Sequence, residues 1–218
     1  MEGKTIQMQY RTVVYYTFCP AKEMSWKEYK KYQRNIADRM LAYGFCAQFG
    51  LGYDPKLVER GTHGKPFWTG RQEIYFNVSN TAGLVVCALS DLETGVDAEH
   101  IRAVKPAVVR RCCTESEIDY IKGTSGENRE EEAKERFFQL WTLKESFIKM
   151  TGQGMYFPMK EAAFFIRNTE CIQEILCTQA GYFTQKRVGD YWLSLCTESG
   201  SKVVWKELAL QDLRESWT

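Results

Sequence analysis

Hydrophobic positions follow two patterns along the chain. Unbroken β-branched and aromatic runs predict buried strands, and apolar residues at helical spacing predict helices. Residues 12–18 (Thr-Val-Val-Tyr-Tyr-Thr-Phe) are of the first kind and predict a strand. Ser25 then offers an N-cap for a helix running to about Gly50, in which Gly44 either interrupts the helix or marks a close packing contact. Residues 61–66 read as a loop. Strand-like runs follow at 74–78 and 84–89, separated by a short polar turn at 79–83.

Beyond residue 92 the order partly repeats. A short strand is predicted at 95–99, a helix from about Lys105, an exposed polar loop at 122–132, a strong helix at 131–151, and strands at 162–167 and 191–196. The pattern predicts an α+β fold in two halves, residues 1–92 and 93–218, without a sequence repeat, low-complexity tract or long linker.

The helix at 131–151 carries the main anomaly. At about 100° per residue, Glu135, Gln139, Thr142, Ser146 and Lys149 share a polar arc, and Phe137, Phe138, Leu140, Trp141, Leu143, Phe147 and Ile148 an apolar one. Lys144 and Glu145 project into the apolar arc. Glu145 and Lys149, spaced i,i+4, would make an ordinary surface pair. A carboxylate beside Trp141, however, is partly desolvated unless it meets a cation or a metal. A second group of acids lies in Gly95-Val96-Asp97-Ala98-Glu99, where the spacing of two puts both carboxylates on one strand face. That is either a solvent-facing strand end or a hard oxygen site. Asp97, Glu99 and Glu145 together would suit Mg2+, which takes one or two protein carboxylates and keeps positions open for water and phosphate.

Composition narrows the chemistry. With 44% apolar and 14% aromatic residues the chain reads as globular, and a formal charge of +1 gives no global pull toward nucleic acid or anionic membrane. No signal-peptide core or membrane-length apolar run is present in the sequence, which leads us to expect a cytoplasmic protein. Eight scattered cysteines without a C-x2-C pair read as reduced core thiols. Only His63 and His100 are present, so carboxylates and lysines must carry the chemistry. Cations at Lys30, Lys31, Arg34 and Arg39, Lys65 in its glycine loop, and the donors of Ser79-Asn80-Thr81 are candidates for a phosphate-rich ligand.

In this order the motifs resemble the 4'-phosphopantetheinyl transferase superfamily, especially its single-chain, surfactin-synthetase-activating type. Gly64-Lys65-Pro66 and Phe76-Asn77-Val78-Ser79-Asn80 look like its first two motifs. Gly95-Val96-Asp97-Ala98-Glu99 looks like its G-[IV]-D-x-E metal motif, and residues 141–149 with Gly152-Gln153-Gly154 look like its W-[ST]-x-K-E-[SA]-[FY]-x-K plus G-x-G signature. Ala37-x-Arg39-x-Leu41 is similar to a helix that helps hold the nucleotide. The resemblance covers about residues 36–158.

It implies two similar α+β halves packed as a pseudo-dimer, with the active site in the cleft between them and the nucleotide on the N-terminal side. It also implies transfer of phosphopantetheine from coenzyme A to a serine of an apo acyl or peptidyl carrier protein, by a monomer needing neither nucleic acid nor membrane. Asp97, Glu99 and Glu145 would hold Mg2+. Arg34, Arg39, Gly64, Lys65, Pro66, Asn77, Ser79, Asn80, Asp97, Lys144, Glu145 and Lys149 would contact coenzyme A, with Glu145 and Lys149 catalytic and Lys144 assisting. Arg110, Arg111 and Lys122 are candidate contacts to an acidic carrier. The family's histidine after the serine is Asn80 here, which donates a hydrogen bond but carries no charge. A non-catalytic coenzyme A or carrier-binding module of the same fold is the competing expectation.

Overall fold

The computed structural model describes residues 11–20, 23–123, 128–168 and 173–213. Its elements run β1 (Arg11–Cys19), α1 (Trp26–Phe49), β2 (Val58–Arg60), β3 (Pro66–Trp68), β4 (Tyr75–Thr81), β5 (Gly83–Ser90), β6 (Thr94–His100), α2 (Pro106–Cys112), α3 (Glu115–Lys122), α4 (Arg129–Thr151), β7 (Phe164–Asn168), β8 (Gln173–Cys177), β9 (Tyr182–Val188), β10 (Tyr191–Thr197) and β11 (Lys202–Glu207). Two sheets dominate, in the orders β11-β1-β5-β4 and β6-β10-β9, beside the hairpins β2–β3 and β7–β8.

The two-residue period of the strands sets the layers. On β1, Val13 and Tyr15 point to the side covered by α1, where they pack with Met40, Phe45 and Leu89. Val14 and Tyr16 point the other way and join Leu84 and Val86 against Val96, Ala98, Leu193 and Leu195 of the second sheet. The far side of the second sheet, through Trp192 and Cys196, meets the Phe137, Leu140 and Phe147 face of α4. The order is helix, sheet, sheet, helix, a mixed α and β architecture.

Helix α1 begins at the expected place. Ser25 and Glu28 form a reciprocal capping box, and Gly50 ends the helix with φ 65°. Gly44 does not interrupt it. A Cβ there would stand 2.9 Å from both Leu89 and Tyr15, so the glycine lets the helix lie close on the sheet.

The structure differs from the sequence pattern in several places. Ser79 and Asn80 lie on β4 rather than in a turn, because Thr81 already pairs with Leu84 and the reversal is made at Gly83, with φ 86°. The stretch at 122–132 is not one loop: Lys122 ends α3 and α4 begins at Arg129, with 124–127 outside the described residues. Helix α3 is separate from α2 and starts on a Thr114–Glu117 capping box. The polar arc of α4 is not its solvent face: Gln139, Thr142 and Ser146 are buried, with Thr142 at 2.6 Å from Ser194 and Gln185 donating to the Gln139 carbonyl at 2.9 Å. Strand β11 returns to pair in parallel with β1, and Leu208 and Leu213 join the α1 core. A division at residues 92 and 93 therefore leaves a strand of the second part in the sheet of the first. The described cysteines are free and most are buried, as their scatter suggested; Cys171 lies outside the described residues.

Candidate active site

The site forms along a seam between two edge strands, β4 of the first sheet and β6 of the second. Alternate β4 side chains bridge it. The Asn77 Oδ1 accepts from Val96 N at 2.9 Å, Ser79 Oγ donates to Asp97 Oδ1 at 2.9 Å and accepts from Ala98 N at 3.3 Å, and Thr81 Oγ1 donates to Glu99 Oε2 at 3.1 Å. The Asn-x-Ser-x-Thr spacing thus works as a side-chain ladder where no backbone ladder exists.

Helix α4 approaches this seam unusually closely. A Cβ on Gly95 would lie 2.2 Å from both Ser146 O and Met150 N, so only glycine lets β6 pass under the helix. That approach brings Lys149 Nζ to 2.7 Å from Asp97 Oδ1 and 2.9 Å from Ser79 Oγ. Glu145, one turn earlier, lines the same space. Burial pushes its carboxyl up to about 7, with Asp97 and Glu99 adding to the rise and Lys149 opposing it.

Two cavities meet here. A polar one of about 320 Å³ is lined by Ser79, Asn80, Asp97 and Glu99, and a larger cleft of about 1000 Å³ runs past Lys65, Arg111, Tyr156 and Met159. Trp141, Glu145 and Lys149 line both.

The sequence candidates separate on this geometry. Gly64, Lys65, Pro66 and Asn77 line the large cleft, and Ser79, Asn80, Asp97 and Glu99 the small one, with Glu145 and Lys149 at the junction. Lys65 is already engaged: its ammonium donates to Glu93 and, at 2.6 Å, to the Met150 carbonyl at the end of α4. Asn80 accepts from Lys30 at 2.9 Å.

Three candidates lie elsewhere. Arg34 is exposed on α1, Arg39 donates to the Leu213 carbonyl at 3.2 Å, and neither lines either cavity. Lys144 is fully buried on the opposite side of α4 from the seam, paired with Glu117 at 2.8 Å and donating to the carbonyls of Met159 and Ala162. Its place in the apolar arc reflects an internal ion pair, not a ligand contact. Glu93, Arg102 and Glu117 escaped the sequence reading. Only Glu117 carried a local signal, the Thr-x-x-Glu spacing of a capping box.

A divalent cation fits the acids present. Asp97 is 5% exposed, and its Oδ2 is buried without a hydrogen-bond partner. Glu145 lies desolvated in the same wall, and the unpartnered Asp97 oxygen is left for a ligand to satisfy. Among the described residues no group of three or more such side chains is gathered as a metal set. Asp97 is turned to Lys149, and Glu99 is turned to Arg102 at 2.8 Å.

Comparison with known proteins agrees with the motif order. Residues 93–196, from just before β6 into β10, match the profile described as the 4'-phosphopantetheinyl transferase superfamily. The chain resembles that superfamily. It is 35% identical over 103 residues to the 4'-phosphopantetheinyl transferase gsp of Aneurinibacillus migulanus, covering 47% of this chain and 41% of the relative. To the 4'-phosphopantetheinyl transferase Sfp of Bacillus subtilis strain 168 it is 28% identical over 124 residues, covering 57% and 54%. To the 4'-phosphopantetheinyl transferase psf-1 of Bacillus pumilus it is 30% identical over 111 residues, covering 51% and 46%. The chain spans about half the length of the curated relatives it matches. The β6 and α4 motifs of the seam both fall inside the superfamily match, whereas the β4 ladder lies before it. No helix among the described residues is long and apolar enough to cross a membrane.

Proposed function

We propose that the protein transfers the 4'-phosphopantetheine arm of coenzyme A to a serine of an apo acyl or peptidyl carrier protein and releases 3',5'-ADP. The observation that carries this reading is the junction of the two cavities, where Glu145 and Lys149 face both spaces and Lys149 meets Asp97 at 2.7 Å. The polar cavity suits a diphosphate, and the larger cleft suits the arm and the incoming serine.

Phosphoryl transfer asks the protein mainly for positioning and charge. The serine oxygen forms a bond to the β-phosphorus as the bond from that phosphorus to the 3',5'-ADP oxygen breaks, the electron pair leaving with the nucleotide. Glu145, whose burial raises its proton affinity, accepts the serine proton. Lys149 offsets the charge on the departing phosphate. Asp97, Glu99 and Glu145 would hold Mg2+, which when bound neutralises diphosphate charge. Ser79 keeps Asp97 and Lys149 in place by bonding to both.

The same reading takes the molecule as two similar halves forming a pseudo-dimer around the seam. Support comes from the symmetric layering, with one long helix on the outer side of each sheet. One chain supplies both walls, so it acts as a monomer. Arg111 on the large cleft, with Arg110 and Lys122 exposed nearby in sequence, would face an acidic carrier.

Mass spectrometry of an apo carrier protein incubated with this protein, coenzyme A and Mg2+ tests the proposal. The expected result is a mass gain of one phosphopantetheine on the carrier serine. An unmodified carrier in the presence of measurable coenzyme A binding would instead mark a binding module.

A further inference from the structure

We propose that two of the chain's own cations, Arg102 and Lys149, occupy the acids of the site until substrate arrives, so that a divalent cation and the diphosphate load cooperatively. The inference rests on the transferase reading above and adds to it an order of assembly and a positioning residue, Arg102.

The acids are balanced from within. Lys149 holds Asp97 Oδ1, and Arg102 Nη1 holds Glu99 Oε2 at 2.8 Å, while Thr81 donates to the same oxygen at 3.1 Å. Arg102 is fixed by more than its ion pair: it donates to the His100 carbonyl at 2.8 Å, and its guanidinium lies 4.8 Å from the centroid of the Phe138 ring. A metal ion approaching alone therefore meets an ammonium and a guanidinium already seated on two of its three carboxylates. It must compete with both for Asp97 Oδ1 and Glu99 Oε2, with no anion present to receive them.

The diphosphate reverses this. It gives Lys149 and Arg102 a second anionic partner, and each cation that turns to it frees carboxylate oxygen for the metal. Arg102 has room to turn once an anion outweighs these contacts, since its side chain is 52% exposed, whereas that of Glu99 is 21% exposed and stays in the wall. The metal in turn lowers the cost of bringing the diphosphate beside Asp97, Glu99 and Glu145. Two ligands that each relieve a charge conflict for the other bind with positive coupling, and the coupling must be equal in both directions.

The test is titration of the full chain with Mn2+, followed by loss of the free-ion electron spin resonance signal. It is run alone and with saturating coenzyme A, which carries the diphosphate and is not turned over without a carrier, and corrected for Mn2+ held by free coenzyme A. Mn2+ should bind on the order of tenfold more tightly with coenzyme A present, and calorimetry should give the same factor for coenzyme A with and without Mn2+. Arg102→Gln should bind Mn2+ alone several-fold more tightly than the parent and lose most of the coupling, while Arg102→Lys should restore it. A metal that merely bridges protein and coenzyme A would leave the Mn2+-alone affinity of Arg102→Gln at the parent value, and that result would overturn the inference. Independent binding of the two ligands in the parent would overturn it too, without touching the transferase reading. No Mn2+ binding even with coenzyme A would remove the transferase reading itself.

Discussion

Lys149 Nζ lies 2.7 Å from Asp97 Oδ1, while Oδ2 of the same buried carboxylate has no hydrogen-bond partner. One oxygen is thus committed to a cation from α4 and to the Ser79 hydroxyl, and the other is open, on a side chain that is only 5% exposed. Asp97→Ala and Glu145→Gln should each abolish transfer and leave the fold intact, since neither opens a large cavity. Lys149→Ala should lower kcat more than it weakens coenzyme A binding if the ammonium acts on the leaving phosphate. Steady-state kinetics with coenzyme A varied decides it: a loss confined to KM would reduce Lys149 to a binding role.

Gly95 sets the distance between the two walls of the site. A methyl group there would press on the α4 backbone at 2.2 Å, and backbone cannot yield as a flexible side chain can. Gly95→Ala should therefore lower stability by at least the roughly 1–3 kcal/mol typical of overpacking, measured by urea unfolding. It should also cost more activity than Asp97 substitutions cost stability, because Lys149 and Glu145 move together. Parent-like kinetics in Gly95→Ala would mean that the close approach does not position the site.

How much of this was legible beforehand depended on the range of the interaction. Helix α1, strand β6 and α4 could be read because caps, alternation and helical spacing are local. The unusual place of Glu145 was readable for the same reason. What could not be read was anything set by elements distant in sequence. Gln139, Thr142 and Ser146 look like a wet face until Gln185 and Ser194 of another layer satisfy them. Lys144 looks like a site lysine until Glu117 is folded against it. The pairing of β11 with β1, in which Arg11 stands opposite Lys202, leaves no local trace.

The Lys144–Glu117 pair yields a prediction that separates structure from catalysis. Both side chains are fully buried, and Glu117 also accepts from the backbone of Thr114 and Phe164, at 2.8 and 2.9 Å. Lys144→Met strands a buried carboxylate and should cost about 3–5 kcal/mol. Adding Glu117→Gln should recover part of that loss, because the amide keeps hydrogen-bonding capacity without charge. Urea unfolding of the two variants tests it. A Lys144→Met protein of parent stability but low turnover would return Lys144 to the chemistry.

The raised proton affinity of Glu145 fixes the sign of a pH effect in the metal-free protein. Its carboxyl is pushed up to about 7 by burial first and by Asp97 next, so folding favours the protonated form. The stability this group contributes is fully present below its ordinary range near pH 4.5 and is lost as pH rises through about 7. In EDTA, Glu145→Gln should thus be more stable than the parent at pH 8 and lose that advantage at pH 4.5. Denaturant midpoints at the two pH values measure it. The same difference at both would mean that Glu145 is not desolvated as its position implies.

Asn80 and Lys30 offer the last test, because the family's histidine position here holds an amide that accepts from a lysine at 2.9 Å. Lys30 is also held from its other side, 4.7 Å from the centroid of the Trp26 ring, which leaves its charge at the rim of the polar cavity that Asn80 lines. If Asn80 works by placing Lys30, the two residues act as a unit toward a phosphate. Asn80→Ala should then weaken 3',5'-ADP binding by about 0.5–1.5 kcal/mol in the parent, and by clearly less once Lys30→Gln has removed the charge being placed. Direct contact of Asn80 with the ligand predicts additive losses instead, since groups without a shared role do not couple. Asn80→His sharpens the distinction. A protonated imidazole beside Lys30 repels it, so the tighter binding expected of histidine at pH 6 over pH 8 should emerge only in the Lys30→Gln background. Calorimetric titration of the parent, Lys30→Gln, and Asn80→Ala and Asn80→His in each of those two backgrounds, at both pH values, reads all of these. Unchanged 3',5'-ADP affinity in every one of them would make Asn80 a strand residue with no part in binding.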